Sequence, residues 1–318
     1  MGVFIFKRIL QSIPVLFGIS LLLFFMMHAV PGGPLAMYIH DPGMTKQLLH
    51  QLETNLGLNQ PLWVQYVNWL WGALHGNFGD SYTYGIPATQ MVFDRLPATL
   101  LLMLSAFLIA VVFSFIIGVF SALRQYSFWD HVLTVLSYFG VAMPTFWLGL
   151  MVVILFAVQL HWLPVGGMST PGEPFSLWSR IRHLILPVGI LAAYLLAHES
   201  RYVRSSMLEV LHADYIRTAR AKGLQERRVI WRHAVKNALL PVVTIMVMDG
   251  AYLFGGALVT ETIFSWPGMG RLFIQAISQN DYPVMMFEIS LLSVIIVFAN
   301  ILADVLYAVL DPRISYNT

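Results

Sequence analysis

The sequence predicts an all-α, polytopic membrane protein with six transmembrane helices, and three observations carry that prediction. Of its 318 residues, 58% are hydrophobic and 11% charged, against roughly 25% charged in an average soluble domain. The apolar residues gather into long runs nearly free of charge, several of them reaching the roughly 20 residues a helix needs to cross a bilayer. The 18 Lys and Arg are spread unevenly between those runs. Mean hydropathy is +0.72. With no cysteine, disulfides, thiolate catalysis and Cys-ligated metal centres are excluded, and a net charge of +2 is too small to suggest a nucleic-acid partner.

The first run, Ile9 to Met27, follows Lys7-Arg8 and meets His28-Ala29-Val30-Pro31-Gly32. It is longer than the apolar part of a signal peptide and has no small-x-small cleavage site, so residues 1–30 are expected to form an N-terminal anchor helix. Residues 31–97 are too long for a simple connector and predict an extracytoplasmic cap between helices 1 and 2. Trp63, Tyr66, Trp69 and Leu70 fall there at helical spacing, ahead of the turn-rich Gly76-Asn77-Phe78-Gly79-Asp80. These aromatics suit a membrane interface or a docking surface for an extracytoplasmic partner.

Residues 98–310 make up the expected transmembrane core. Its runs are Ala98 to Leu123, Val132 to Leu160, a shorter one from Leu184 to Ala197, Ala238 to Thr260 interrupted by Asp249, and Val284 to Leu310. Pro144 and Pro187 predict kinks in the third and fourth spans. Residues 311–318 form a cytoplasmic tail. Basic residues are retained on the cytoplasmic side of a membrane. With the N-terminus inside, thirteen Lys and Arg fall on inner segments, nine of them between His198 and Asn237. Only Lys46, Arg95, Arg180, Arg182 and Arg271 fall outside, so both termini are expected in the cytoplasm.

The loop 198–237 holds most of the functional signal. Leu208, Leu211, Tyr215 and Ala219 recur every three or four residues and define one face of a helix over Ser205 to Lys222, with Glu209, His212, Arg217 and Arg220 away from it. Gly223 supplies the left-handed residue that ends such a helix, and Arg220 and Lys222 suit its negative end. Beyond it, Arg228, Arg232 and Lys236 at i, i+4 and i+8 form a stripe expected to face lipid headgroups.

Asp214-Tyr215-Ile216-Arg217-Thr218-Ala219-Arg220-Ala221-Lys222-Gly223-Leu224, with Asn237-Ala238-Leu239-Leu240-Pro241 downstream, resembles the EAA loop of peptide-type ABC importer permeases. It has Arg-Thr-Ala-x-x-x-Gly in place of the general Glu-Ala-Ala-x-x-x-Gly. Met143-Pro144-Thr145-Phe146-Trp147-Leu148-Gly149, the segment Thr260 to Arg271, Asp281-Tyr282-Pro283-Val284 and Asp311-Pro312-Arg313 are similar to segments of the dipeptide/oligopeptide/nickel permease family. So are Leu56-Gly57-Leu58, Gln65-Tyr66 and Leu96-Pro97-Ala98-Thr99-Leu100, and the resemblance covers nearly the whole chain in the family's order.

The resemblance implies a permease subunit of an ATP-driven importer in a prokaryotic cytoplasmic membrane, forming half of a pathway for di- or oligopeptides. Nickel complexes, glutathione or oligosaccharides are the other cargoes of that architecture. It implies a second, related permease, two ABC ATPase subunits and an extracytoplasmic solute-binding protein as partners, with Asp214, Tyr215, Arg217, Thr218, Ala219, Arg220, Ala221, Lys222 and Gly223 forming the helix the ATPase grips. The chain itself is expected to be neither an enzyme nor a cofactor carrier. ATP and Mg would be used by the partners, in keeping with the lack of a G-x-x-x-x-G-K-[ST] loop here.

An ionised Asp at a helix centre costs about 2.5–3.5 kcal/mol, so Asp249 should face the interior, towards the solute path or a neighbouring helix. Glu261, Phe264 and Trp266 are further pathway candidates at the outer end of the fifth span, where an aromatic gate or interfacial anchoring fits the residues. Glu288 and Asp304 are expected in interfacial water near span ends. A secondary transporter or channel would show similar spans without needing a glycine-capped amphipathic helix in its main cytoplasmic loop. An intramembrane hydrolase is excluded by its missing signatures: His198-Glu199 is followed by Tyr202 where H-E-x-x-H needs His, and G-x-S-x-G is absent.

Overall fold

An unpaired N–H or C=O finds no water inside a bilayer, so long apolar stretches fold with every backbone bond satisfied internally. The computed structural model describes residues 2–30, 32–35 and 44–310, and almost all of its regular structure is helical. Asp80 and Pro87 form an isolated β-bridge. The expected tail 311–318, including Asp311-Pro312-Arg313, lies outside the described residues.

Helix α1 (Gly2–Ala29) is the first anchor. The segment after it contains α2 (Lys46–Asn55) and α3 (Leu62–Leu74). Thr45 starts α2 by accepting the Leu48 N–H on its hydroxyl at 3.3 Å. Helix α3 lies on α1: Phe24 is buried between Tyr66 and Trp69, with ring centroids at 5.4 and 6.2 Å, and the Tyr66 hydroxyl is 2.7 Å from that of Ser20. Trp63, one turn earlier in α3, is exposed.

The core continues with α4 (Ala88–Leu123), α5 (Phe128–Ala142) and α6 (Thr145–Val152), the last extended by a π-helical segment over Val153–Gln159. Then come α7 (Leu177–Leu211), α8 (Asp214–Ala221) and a second π-helical segment, Val229–Val235. Helices α9 (Lys236–Ile263), α10 (Met269–Gln279) and α11 (Tyr282–Leu310) complete the order.

Among the described residues four stretches, Ile5–Ala29, Ala88–Leu123, Leu177–Leu211 and Tyr282–Leu306, are long and apolar enough to cross a membrane. A fifth arises if α5 and the α6 segment count as one broken span. Helix α9 contributes the apolar stretch Pro241–Gly250 within its 28 residues.

Two boundaries differ from the sequence reading for the same reason. Helix α4 begins at Ala88 rather than Ala98, and α7 runs far past both ends of Leu184–Ala197. Hydropathy marks where charges occur, whereas a helix continues for as long as its backbone bonds do. Pro144 does more than kink the third span. Met143 before it is forced into an extended conformation, φ −79° and ψ 129°, and the two halves meet at 102°. Pro187 sits inside a continuous α7.

Helices α4 and α7 form the central pair. Ala106, Ala110, Ser114, Gly118 and Ala122 recur every four residues along α4 and are all buried. Opposite them lies the α7 stripe Leu191, Leu195, Glu199, Val203 and Met207. Small residues permit close approach, the usual basis of helix association in lipid. A β-carbon added at Gly118 would stand 2.5 Å from that of Val203. At the end nearest α8 this core continues into Ile216, Ala219, Val229, Ala234 and Val235, and at the opposite end Val92 packs with Met269, Leu272, Val284 and Phe287.

Candidate functional site

The α7 helix stops at Leu211 because Ala213 turns extended, φ −70° and ψ 147°. The expected single helix over Ser205 to Lys222 is therefore two, and α8 presents a different face. Ile216 is fully buried and Ala219 nearly so, while Tyr215 is 46% exposed. The break resets the helical phase, which is why a continuous count from Leu208 selected Tyr215 instead of Ile216. The polar face of α8 carries an Asp214–Arg217 ion pair and a Thr218 hydroxyl bonded to the Asp214 carbonyl at 2.9 Å.

The end of α8 follows expectation. Gly223 has φ +75°. Its N–H bonds to the Arg220 carbonyl at 2.9 Å, and the Leu224 N–H bonds to that of Ala219 at 3.4 Å, the two bonds of a Schellman motif. Leu224 then packs against the same core cluster as Ile216 and Ala219. Arg220 reaches past the turn to Glu226 with both arms, Nε to Oε2 at 3.1 Å and Nη2 to Oε1 at 2.7 Å. That hydrogen-bonded guanidinium holds the Glu226 carboxyl below its usual range.

Away from α8, a cavity of about 590 Å³ opens where the third span breaks. It is walled by Met143, Pro144 and Thr145, by Leu191, Tyr194 and His198 of α7, and by Asp249 and Leu253 of α9. Asp249 does face inward, and its Oδ2 lies 3.2 Å from Nδ1 of His198. The other pathway candidates do not line this cavity. Glu261, Phe264 and Trp266 are buried within the chain. Glu261 accepts the Thr99 hydroxyl at 2.7 Å and the Arg271 N–H at 3.1 Å, and Trp266 donates to the Ala98 carbonyl at 2.9 Å. Gly268 is required here because a β-carbon would fall 2.2 Å from the Glu261 carboxylate. These bonds fasten the segment after α9 onto α4.

Several charged groups that the sequence left without a role are structural anchors. Asp130, 2% exposed, accepts Nε and Nη2 of Arg204, both at 2.8 Å, the Tyr126 N–H at 2.9 Å and the Ser121 hydroxyl. This clamps the α4–α5 turn to α7 a few residues ahead of α8. Ser127-x-x-Asp130 is a capping-box pattern, the one sequence signal that marked it. Glu199 is buried against the Ser114 hydroxyl at 3.0 Å, in the middle of the α4–α7 contact. Asp281 receives the Ser81 hydroxyl and the Tyr82 N–H, the latter at 3.2 Å, tying the segment ahead of α4 to the start of α11. Glu288 is 1% exposed, enclosed by packing and away from the interfacial water expected for it. Asp304 pairs with Arg8 at 3.1 Å.

Residues 1–103 match the N-terminal part, and residues 114–316 the main part, of the binding-protein-dependent transport system inner membrane component. The chain belongs to this family. The permease is 45% identical over 317 residues to the oligopeptide transport system permease protein AppB of Bacillus subtilis (strain 168), which aligns over 99% of this chain and 100% of that protein. It is 40% identical to the dipeptide transport system permease protein DppB of Escherichia coli (strain K12), over 99% of each. A solved structure of an amino acid ABC transporter with histidines shares its fold, with a TM-score of 0.53 at 13% identity over 69% of this chain and 94% of that one. The permease is thus a multi-pass membrane component of an ABC transport system, the family expected from residues 214–224 and the motifs around them.

Proposed function

We propose that this permease is one of two membrane subunits of an ATP-driven importer of di- or oligopeptides in a prokaryotic cytoplasmic membrane. Peptide cargo is supported by relatives at 40–45% identity over nearly their whole length. The observation that carries the mechanism is α8. Its buried Ile216 and Ala219 lock it to the core, while Tyr215, Arg217 and Lys222 remain exposed for a partner. An ATPase gripping that face would move the helix and the core beneath it as one body.

The proposed arrangement has six spans, α9 among them, with both termini and α8 in the cytoplasm and the 31–97 segment outside. Two ATPases use ATP and Mg below the membrane, and a binding protein delivers solute from outside. The Asp249 cavity is the stretch of pathway this subunit contributes. A carboxylate among Met143, Leu191 and Leu253 suits a peptide's ammonium end with apolar side chains beside it. Closure of the ATPases would bias the spans between inward- and outward-open states, and solute binding would bias them in turn.

The test is to reconstitute the four-subunit complex with its binding protein and measure peptide-stimulated ATP hydrolysis and uptake of labelled peptides. Uptake needing ATP and the binding protein is expected. Uptake that persists without any ATPase subunit would mean a secondary transporter or channel. In intact cells, a probe should label a cysteine at Met44 but reach one at Gly223 only after permeabilisation; labelling at Gly223 without it would reverse the orientation.

A further inference from the structure

The acids around α8 are already engaged: Asp214 with Arg217, Glu226 with Arg220, and Asp130 with Arg204. Immediately beyond, Arg227, Arg228 and Arg232 stand exposed along a cleft of about 400 Å³ completed by Gln225 and Trp231. Among the described residues none of these three guanidiniums forms an ion pair. Three positive charges therefore share one concavity with no internal counterion.

The cleft is built on a firm base. Val229, Ala234 and Val235 bury the opposite side of the same segment in the cytoplasmic core. Val229–Val235 is π-helical, with wider turns than an α-helix, so the straight stripe of Arg228, Arg232 and Lys236 is not what forms. Lys236 stays out of the cleft, and Arg227 and Trp231 join it.

One wall adjoins apolar surface. The half-exposed Trp231 ring lies 6.3 Å from Phe115 of α4, next to the exposed Ile116 and Val112 on the same helix. Trp prefers the level where headgroups meet hydrocarbon. The occupant that uses every wall has an anionic oxygen cluster for several guanidiniums and an acyl chain for the Trp231 side. A free phosphate would use half of this cleft, and an acidic protein loop would leave the apolar wall uncovered.

We propose that Arg227, Arg228, Arg232 and Trp231 form a binding site for the headgroup of an anionic phospholipid of the cytoplasmic leaflet. The bound lipid braces the segment joining α8 to α9, next to the Arg220–Glu226 tie, so coupling by α8 depends on it. This rests on the cytoplasmic placement of α8 proposed above.

The experiment compares the complete importer in nanodiscs of phosphatidylcholine alone and of phosphatidylcholine with phosphatidylglycerol, for the wild type and for Arg227→Gln/Arg228→Gln/Arg232→Gln. Native mass spectrometry reads retained lipid, and ATP hydrolysis with peptide-loaded binding protein reads coupling. The expected result is that the wild type keeps phosphatidylglycerol through detergent extraction and the variant loses it. Stimulated hydrolysis should rise several-fold with phosphatidylglycerol in the wild type only, and neither inorganic phosphate nor glycerophosphoglycerol should replace the lipid. Equal wild-type activity in both discs, or undiminished lipid retention by the variant, overturns the proposal. Rescue by inorganic phosphate would make this a simple anion site, and shedding of the ATPase by the variant in both discs would make it a protein-docking surface. Absence of peptide stimulation in every disc would sink the importer reading, while lipid retention would still report on the cleft.

Discussion

Replacing Gly223 tests whether α8 couples ATP hydrolysis to transport. Its φ of +75° lies in the left-handed region, and a β-carbon built there meets nothing within 4 Å. The cost of a side chain is therefore one of backbone conformation, with no collision to relieve. For an ordinary L-residue that cost is about 1–2 kcal/mol, higher when the side chain is β-branched, and Asn bears it most easily after Gly. A graded series follows, with Gly223→Asn close to wild type, Gly223→Ala intermediate and Gly223→Val worst. About 1.4 kcal/mol is a tenfold change in an equilibrium constant, so Gly223→Val should shift the balance between formed and unformed α8 ends tenfold or more towards the unformed. The losses would be the Leu224–Ala219 bond, the packing of Leu224 and the Arg220–Glu226 tie, all beyond the apolar stretches of the spans. Membrane abundance should stay near normal while peptide-stimulated hydrolysis, uptake and ATPase co-purification fall in that order of variants. Ala219→Asp should match the worst of them, since it drives a carboxylate into the apolar core. Val and Asn variants of equal activity, with ATPases attached, would refute the coupling role.

Other perturbations probe other parts of the permease. Asp249→Asn should keep uptake if the bond to His198 is what matters, whereas loss of uptake in both Asp249→Asn and Asp249→Leu would assign the charge to the solute; wild-type uptake by Asp249→Leu would remove the residue from the pathway. Asp130→Ala leaves Arg204 facing a vacated partner and should destabilise the detergent-solubilised protein by about 3 kcal/mol, the low end for a buried pair because Arg204 is partly exposed; thermal unfolding reads it, and Arg204→Met in the same chain should recover part of the loss. Gly118→Ala should lower the melting temperature through a 2.5 Å approach to Val203, costing about 1–3 kcal/mol. Gly189→Ala, with nothing within 4 Å of its new methyl, should be neutral or stabilising in the same assay, being a helix-interior glycine.

Features set by local chemistry were legible in the sequence. The charge-poor runs, save the one broken at Pro144, became the long helices, Gly223 ended α8 because no other residue takes its φ without cost, and Asp249 turned inward because lipid excludes its charge. What escaped was long-range pairing. Asp281 is 200 residues from Ser81, Glu199 is 85 from Ser114, and Asp130 is 74 from Arg204; each reads in sequence as an ordinary polar residue. Phase was the other gap, since one extended residue at Ala213 rotates everything after it and exchanges Tyr215 for Ile216. The cavity combined both. Its floor is a proline break that sequence marks, but His198 is brought to Asp249 only by the packing of α7 on α9.

The length of α7 has a mechanical consequence. Its 35 residues extend about 52 Å at 1.5 Å per residue, while the hydrocarbon core is only about 30 Å thick. The roughly 20 Å of excess is shared between the two ends of the rod, the one carrying Arg180 and Arg182 and the tip that leads into α8. Displacing that tip sideways by about 3–4 Å tilts the rod by about 10°, and His198 rides on the same rod beside the cavity. On the coupling role proposed for α8, the extra turns that hydropathy could not see would set the leverage an ATPase has on the cavity.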